Sequence, residues 1–401
     1  MLFEIILALF LGILAGTFTG LMPGIHINLV GVLLISSISF FLSFASPFIL
    51  VIFIVSMSIT HTFIDFIPSI FLGAPNEDTV LSIMPGQEML LQGKGHEAVF
   101  LTLIGCLIGL FLLIFLVPLF IYTLPNIYPF FQKMMFWILI WACIFLILKE
   151  NTNKVLALII FILAGFLGLS TLNLPIKQPL LPLLTGLFGS SSLIYSLSQK
   201  TKLPEQKIEK IIINKKELIK PALASLFSSP LCSFLPGLGS SQAAIIGSGI
   251  IGKLSRKQFL MLLGSVNILV MSLSFVVLYL IQKSRTGSAY AINEIMLLSL
   301  ENIFYILLII LITSVIVFFL GLKISKIFIK NINKINYSKI SLAVLFLLSI
   351  IVLIFSGLLG FLVFLVSTCL GLTCNYLNIR KGLLMGCLLV PTMIFYLPFL
   401  S

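Results

Sequence analysis

Polar side chains suited to holding an anion stand just after two proline–glycine breaks in otherwise apolar sequence. The first break reads Gly20-Leu21-Met22-Pro23-Gly24-Ile25-His26-Ile27-Asn28 and the second Leu235-Pro236-Gly237-Leu238-Gly239-Ser240-Ser241-Gln242. Proline lacks a backbone N–H and clashes with the preceding turn, so it stops or kinks a helix. A helix that restarts beyond the break has unpaired N–H groups and the positive end of its dipole at its start, which attracts carboxylate or phosphate. Gly239 lets a ligand approach the backbone, and Ser240, Ser241 and Gln242 add hydrogen-bonding groups; His26 and Asn28 hold the equivalent places after Pro23 and Gly24. The other reading of these side chains is that they cap their own helices.

A second polar cluster runs from Ser56 to Asp65, with Gly264-Ser265-Val266-Asn267 as its counterpart in the other half of the chain. His61 and Asp65 are one helical turn apart and share a face. An ionisable pair inside an apolar span is a candidate for ion coupling. It suits a proton, or a sodium ion held with Thr60, Ser58 and Asn28. Asn267 joins the expected substrate-binding set. The densest acidic patch, Asn76-Glu77-Asp78, lies in a loop and reads as a solvated run or a cation gate. No organic cofactor and no metal centre is expected: the three histidines are scattered and the six cysteines sit singly in apolar surroundings. No nucleophile–base arrangement points to an enzyme.

Composition says where these clusters sit. Of the 401 residues 60% are hydrophobic and 9% charged, against roughly 25% charged in soluble domains. Mean hydropathy is +1.24. Many apolar runs are long enough for a hydrocarbon core of roughly 30 Å. The net charge of +12 does not imply nucleic acid. Its lysines gather in 199–220 and 323–339, as cytoplasmic loops do. No Lys or Arg is expected deep in the membrane, which favours a carboxylate over a phosphate. The acidic Met1-Leu2-Phe3-Glu4 start is unlike a signal peptide.

Residues 1–93 contain no Lys or Arg, whereas basic residues flank 221–252 on both sides. A re-entrant helical hairpin over about 221–252, entered from the cytoplasm with its tip near mid-membrane, satisfies both basic ends. The matching hairpin, about 2–44, enters from outside. Five spans follow the first (about 47–72, 98–122, 133–150, 155–172 and 179–198) and five the second (about 256–281, 296–322, 340–358, 361–377 and 382–400). The expected fold is an all-α polytopic membrane protein of two inverted repeats, 1–198 and 221–401, joined by the basic loop 199–220. Such repeats bind substrate at broken helices. Lys283 and Arg285, in an apparent outside loop, run against the charge rule.

The Pro-Gly breaks in both halves, Gly73-Ala74-Pro75 with Met84-Pro85-Gly86, and Gly93-Lys94-Gly95-His96-Glu97-Ala98 together resemble the TctA family, the membrane subunit of tripartite tricarboxylate transporters. The likeness is strongest to its shorter archaeal branch, whose function is not settled, and covers most of the chain. The resemblance implies gradient-driven secondary transport of a carboxylate, with accessory subunits as partners. The expected function is therefore symport of a di- or tricarboxylate at the two hairpin tips, in the plasma membrane. The alternative is translocation of an anionic lipid carrier such as polyprenyl phosphate. Expected partners are the small anion or anionic lipid, membrane lipids and a second copy of the chain, without nucleic acid.

Overall fold

The computed structural model describes residues 2–22, 42–72, 79–148, 150, 152–198, 204–209, 211, 213–235, 239–332 and 337–397. Among them every regular element is helical: α1 (Leu2–Leu21), α2 (Pro47–Ile64), α3 (Phe66–Leu72), a 3-10 turn at Val80–Ser82, α4 (Ile83–Leu91), α5 (Gly95–Leu148), α6 (Lys154–Leu172), α7 (Leu180–Leu184), a π turn at Thr185–Ser190, α8 (Ser191–Ser198), α9 (Lys215–Phe234), α10 (Ser240–Ile251), α11 (Arg256–Ile281), α12 (Gly287–Ile295), α13 (Leu300–Ile332), α14 (Tyr337–Tyr376), a second 3-10 turn at Lys381–Met385, and α15 (Gly386–Phe395). Seven stretches are long and apolar enough to cross a membrane. The chain is thus an all-α polytopic membrane protein.

Small residues decide how the helices meet. On α1, Ala8, Gly12, Gly16 and Gly20 are buried at every fourth position, while Phe3, Ile6, Phe10, Leu14 and Phe18 are exposed. Without a Cβ at Gly12, Gly16 and Gly20, the backbone settles on Phe53, Met57 and His61 of α2 in that order, so the two helices run parallel. Small residues serve membrane helices this way because lipid gives no hydrophobic drive to pair. The same device joins α5 to α11. A Cβ on Gly105 would overlap the Met261 carbonyl, and one on Gly264 the Thr102 carbonyl. All of the most apolar stretch of α11 is buried, which makes it the central helix.

A second body is built alike. Gly165, Gly168 and Gly386 bring α6 against α15, and Gly186 and Gly371 bring the π turn against α14. The two bodies meet where the Lys381–Met385 turn rests on Val80–Ser82 and Gly382 faces Ile245 of α10.

The chain departs from the expected spans at several points. The segment read as two spans, 98–122 and 133–150, is one 54-residue helix, α5. Pro118, Pro125 and Pro129 lie inside it, yet each removes one ladder bond while keeping a helical φ, so the helix bends instead of stopping. The bend folds α5 back on itself. Its first half lies on α11, its last turns meet α15 through Cys143 and Met393, and Phe120, Tyr128 and Phe131 all pack on the ring of Phe234. In the second hairpin the first arm starts at Lys215, not at 221, because the Asn214 side chain caps it by accepting from the Lys216 N–H at 3.1 Å. Within α14 the backbone leaves the helix at Gly357 (φ 67°), where the sequence reading separates two spans.

Candidate functional site

Local sequence breaks the helix on which the ionisable pair stands. Pro68 has no N–H to offer the Ile64 carbonyl, so α2 ends there and α3 restarts at Phe66. Asp65 occupies the join, 2% exposed, and His61 one turn earlier is 3% exposed. His61 Nδ1 lies 3.1 Å from Thr19 Oγ1, at the end of α1. Ser58 Oγ lies 2.6 Å from Ser288 Oγ of α12. Asn267 Nδ2 donates to the Thr62 carbonyl at 3.3 Å, so the expected counterpart on α11 does reach this cluster. Thr60 does not open into it: its hydroxyl donates to the Ser56 carbonyl at 2.7 Å within α2. Below Asp65, Ser69 Oγ and Thr79 Oγ1 are 2.7 Å apart. Buried polar groups thus follow one another down α2 from Ser58 to Ser69.

The second cluster is the start of α10. Ser240, Ser241 and Gln242 are all buried. Gly239 is extended, and its N–H donates to Gln242 Oε1 at 2.9 Å. The capping role is therefore real for one atom of Gln242. The other is different: Nε2 is buried and has no hydrogen-bond partner. A buried amide donor left unmade costs about 1–3 kcal/mol, and here it stands at the positive end of a twelve-residue helix.

The depth of this start follows from the helices beside it. α9 and α11 share an end, where Lys220 Nζ reaches the Lys253 carbonyl at 3.4 Å. Ser225 Oγ and Ser265 Oγ are 2.8 Å apart. From Ser225 the chain climbs about 13 Å to Phe234, and the same advance on α11 reaches Ser274. Ser274 Oγ in turn lies 3.1 Å from Thr286 Oγ1. Phe234, the last residue of α9, thus stands beside the segment that carries Lys283 and Arg285. Those two residues fold onto the protein instead of lying in a free loop. Arg285 Nη2 is 3.4 Å from Tyr128 Oη, and Lys283 Nζ is 5.4 Å from the centre of the Tyr128 ring.

Pro23, Gly24, His26, Asn28, Pro236 and Gly237, and the Asn76–Asp78 patch, lie outside the described residues. The Lys381 ammonium reaches Ser192 Oγ of α8, one residue from the Gly382 contact with α10. Reading Arg380-Lys381 as a plain inside turn missed this, and no local signal marks it. Thr19, Ser288 and Tyr128 were also missed. Only Lys283 and Arg285 carried a signal, their breach of the charge rule. No group of three or more His, Cys, Asp or Glu side chains suited to a metal occurs among the described residues.

The sequence model of the tripartite tricarboxylate transporter TctA family matches residues 6–386. The uncharacterized protein MJ1079 of Methanocaldococcus jannaschii is 30% identical over 408 aligned positions, which cover 98% of this chain and 99% of the relative. No solved structure matches.

Proposed function

The chain belongs to the tripartite tricarboxylate transporter TctA family, and on that basis we propose that it carries a di- or tricarboxylate across the plasma membrane on a sodium or proton gradient. It is a carrier, not an enzyme, and its partners in this reading are the small anion and the accessory subunits of a tripartite system. The family match does not favour the polyprenyl phosphate alternative. The observation that supports the reading best is the Gln242 amide. Its oxygen holds the start of α10 while its nitrogen is left without a partner beside the helix N–H groups, which is what a carboxylate needs. The 221–401 half is read as an inverted copy of 1–198; that α1 lies parallel to α2 as α9 lies parallel to α11 supports the repeat, and the charge distribution supports its inversion.

Gln242→Glu separates capping from binding. The new carboxylate still accepts from the Gly239 N–H but offers no donor and repels an anion. Citrate should raise the melting temperature of purified wild-type protein by mass action and leave that of Gln242→Glu unmoved. Losing a hydrogen bond to a charged group costs about 1.5–3 kcal/mol, roughly tenfold or more in affinity. A Gln242→Glu protein that binds citrate like the wild type would assign the residue to capping alone. Topology has its own test. In this reading single cysteines in 204–220 label from the cytoplasm and Asn126→Cys, exposed at the elbow of α5, labels from outside. The reverse pattern refutes the inverted arrangement.

A further inference from the structure

Among the described residues no carboxylate pairs with Arg285. Its Nε is buried and has no hydrogen-bond partner. Its one described polar contact, Nη2 to Tyr128 Oη, is 3.4 Å, long for a hydrogen bond. The ion pairs formed among the described residues, Arg256 with Glu88 and Lys257 with Glu97, lie elsewhere. A buried donor left without a partner is costly. Tyr128 also sits edge-on to Phe234, the last residue of α9.

Arg285 is also held between the two polar clusters. The next residue, Thr286, meets Ser274 at the level of the second hairpin's end. Three residues on, Ser288 meets Ser58 on the helix that carries His61 and Asp65. Arg285 thus belongs to the short segment that joins the two polar clusters. Its planar fork matches a carboxylate with two parallel N–H donors, which an ammonium cannot do.

We propose that Arg285 is the cation that takes one carboxylate of the transported anion, opposite the carboxylate received at the start of α10 by Gln242. The inference rests on the carboxylate reading above and deepens it. Two receiving points require two carboxylates, so the site prefers di- and tricarboxylates to a monocarboxylate.

The test is isothermal titration of the purified full chain with citrate, succinate and acetate. Wild type should bind citrate and succinate well above acetate. Arg285→Gln should weaken citrate by about tenfold or more and bring all three anions to similar affinity. Arg285→Lys should fall between, since charge is kept and the fork is lost. Ligand-free Arg285→Gln should melt no lower than wild type, because it removes an unpaired buried donor. Wild-type citrate affinity in Arg285→Gln overturns the proposal, and so does a lowered melting temperature with affinity unchanged, which would make the residue a structural one. If Gln242→Glu loses citrate while Arg285→Gln keeps it, the carboxylate reading stands and Arg285 has no part in it. If wild type binds none of the three anions, the carboxylate reading itself falls, and this inference with it.

Discussion

In the proposed carrier, Asp65→Asn should abolish uphill accumulation of citrate in reconstituted vesicles but leave citrate exchange across equilibrated membranes intact. Asp65 is nearly fully buried at the join of α2 and α3. Ionisable groups placed so are costly and typically lie on ion pathways. Exchange needs binding and reorientation of the loaded carrier only. Net accumulation also needs the ion to be carried and released, and an amide cannot take up a proton or match a cation's charge. Imposing proton and sodium gradients separately identifies the ion. His61, whose Nδ1 meets Thr19, stands one turn from Asp65: His61→Ala is expected to impair a proton-driven cycle and leave a sodium-driven one in place. Full accumulation by Asp65→Asn would leave the residue as a structural partner.

The second large effect is on folding. Gly264→Ala should lower stability by about 3 kcal/mol or more, at the upper end of overpacking costs, and Gly264→Leu should yield no folded protein. The added Cβ would overlap the Thr102 carbonyl, a backbone atom that cannot swing aside as a side chain tip can. The clash sits between α5 and α11, a pair closed by glycines from both sides. Gly189→Ala is the control, since its Cβ would meet nothing nearer than 3.7 Å. Thermal unfolding in detergent reads both. A Gly264→Ala protein that melts with the wild type would mean that α5 and α11 stand further apart than described.

Much of this fold was legible because membranes force it. Long apolar runs must be helices, since lipid satisfies no backbone group. The second break was legible too: α9 ends at Phe234 and α10 starts at Ser240, on either side of it. Pro118, Pro125 and Pro129 look the same in sequence, yet there the helix continues. A proline signals a lost bond, and whether the helix stops or bends depends on what lies beside it, here Phe234. The site was legible to the same extent. The His61/Asp65 spacing and the polar start of α10 are local patterns. The pairings that join them, Ser58 to Ser288 and Asn267 to Thr62, cross more than two hundred positions of sequence and follow only from packing. Arg285 and Lys381 show the limit most clearly, since neither has a motif and their meaning lies in the partners they lack or reach.

The folded-back α5 has a mechanical consequence. Its first half is clamped to α11 by glycine contacts, and its last turns are engaged with α15 in the other body. Any displacement of one body against the other therefore loads the stretch from Pro118 to Pro129. There the carbonyls of Ile114, Ile121 and Pro125 face prolines where donors would stand, so the stretch can flex without breaking bonds that other helices would have to break.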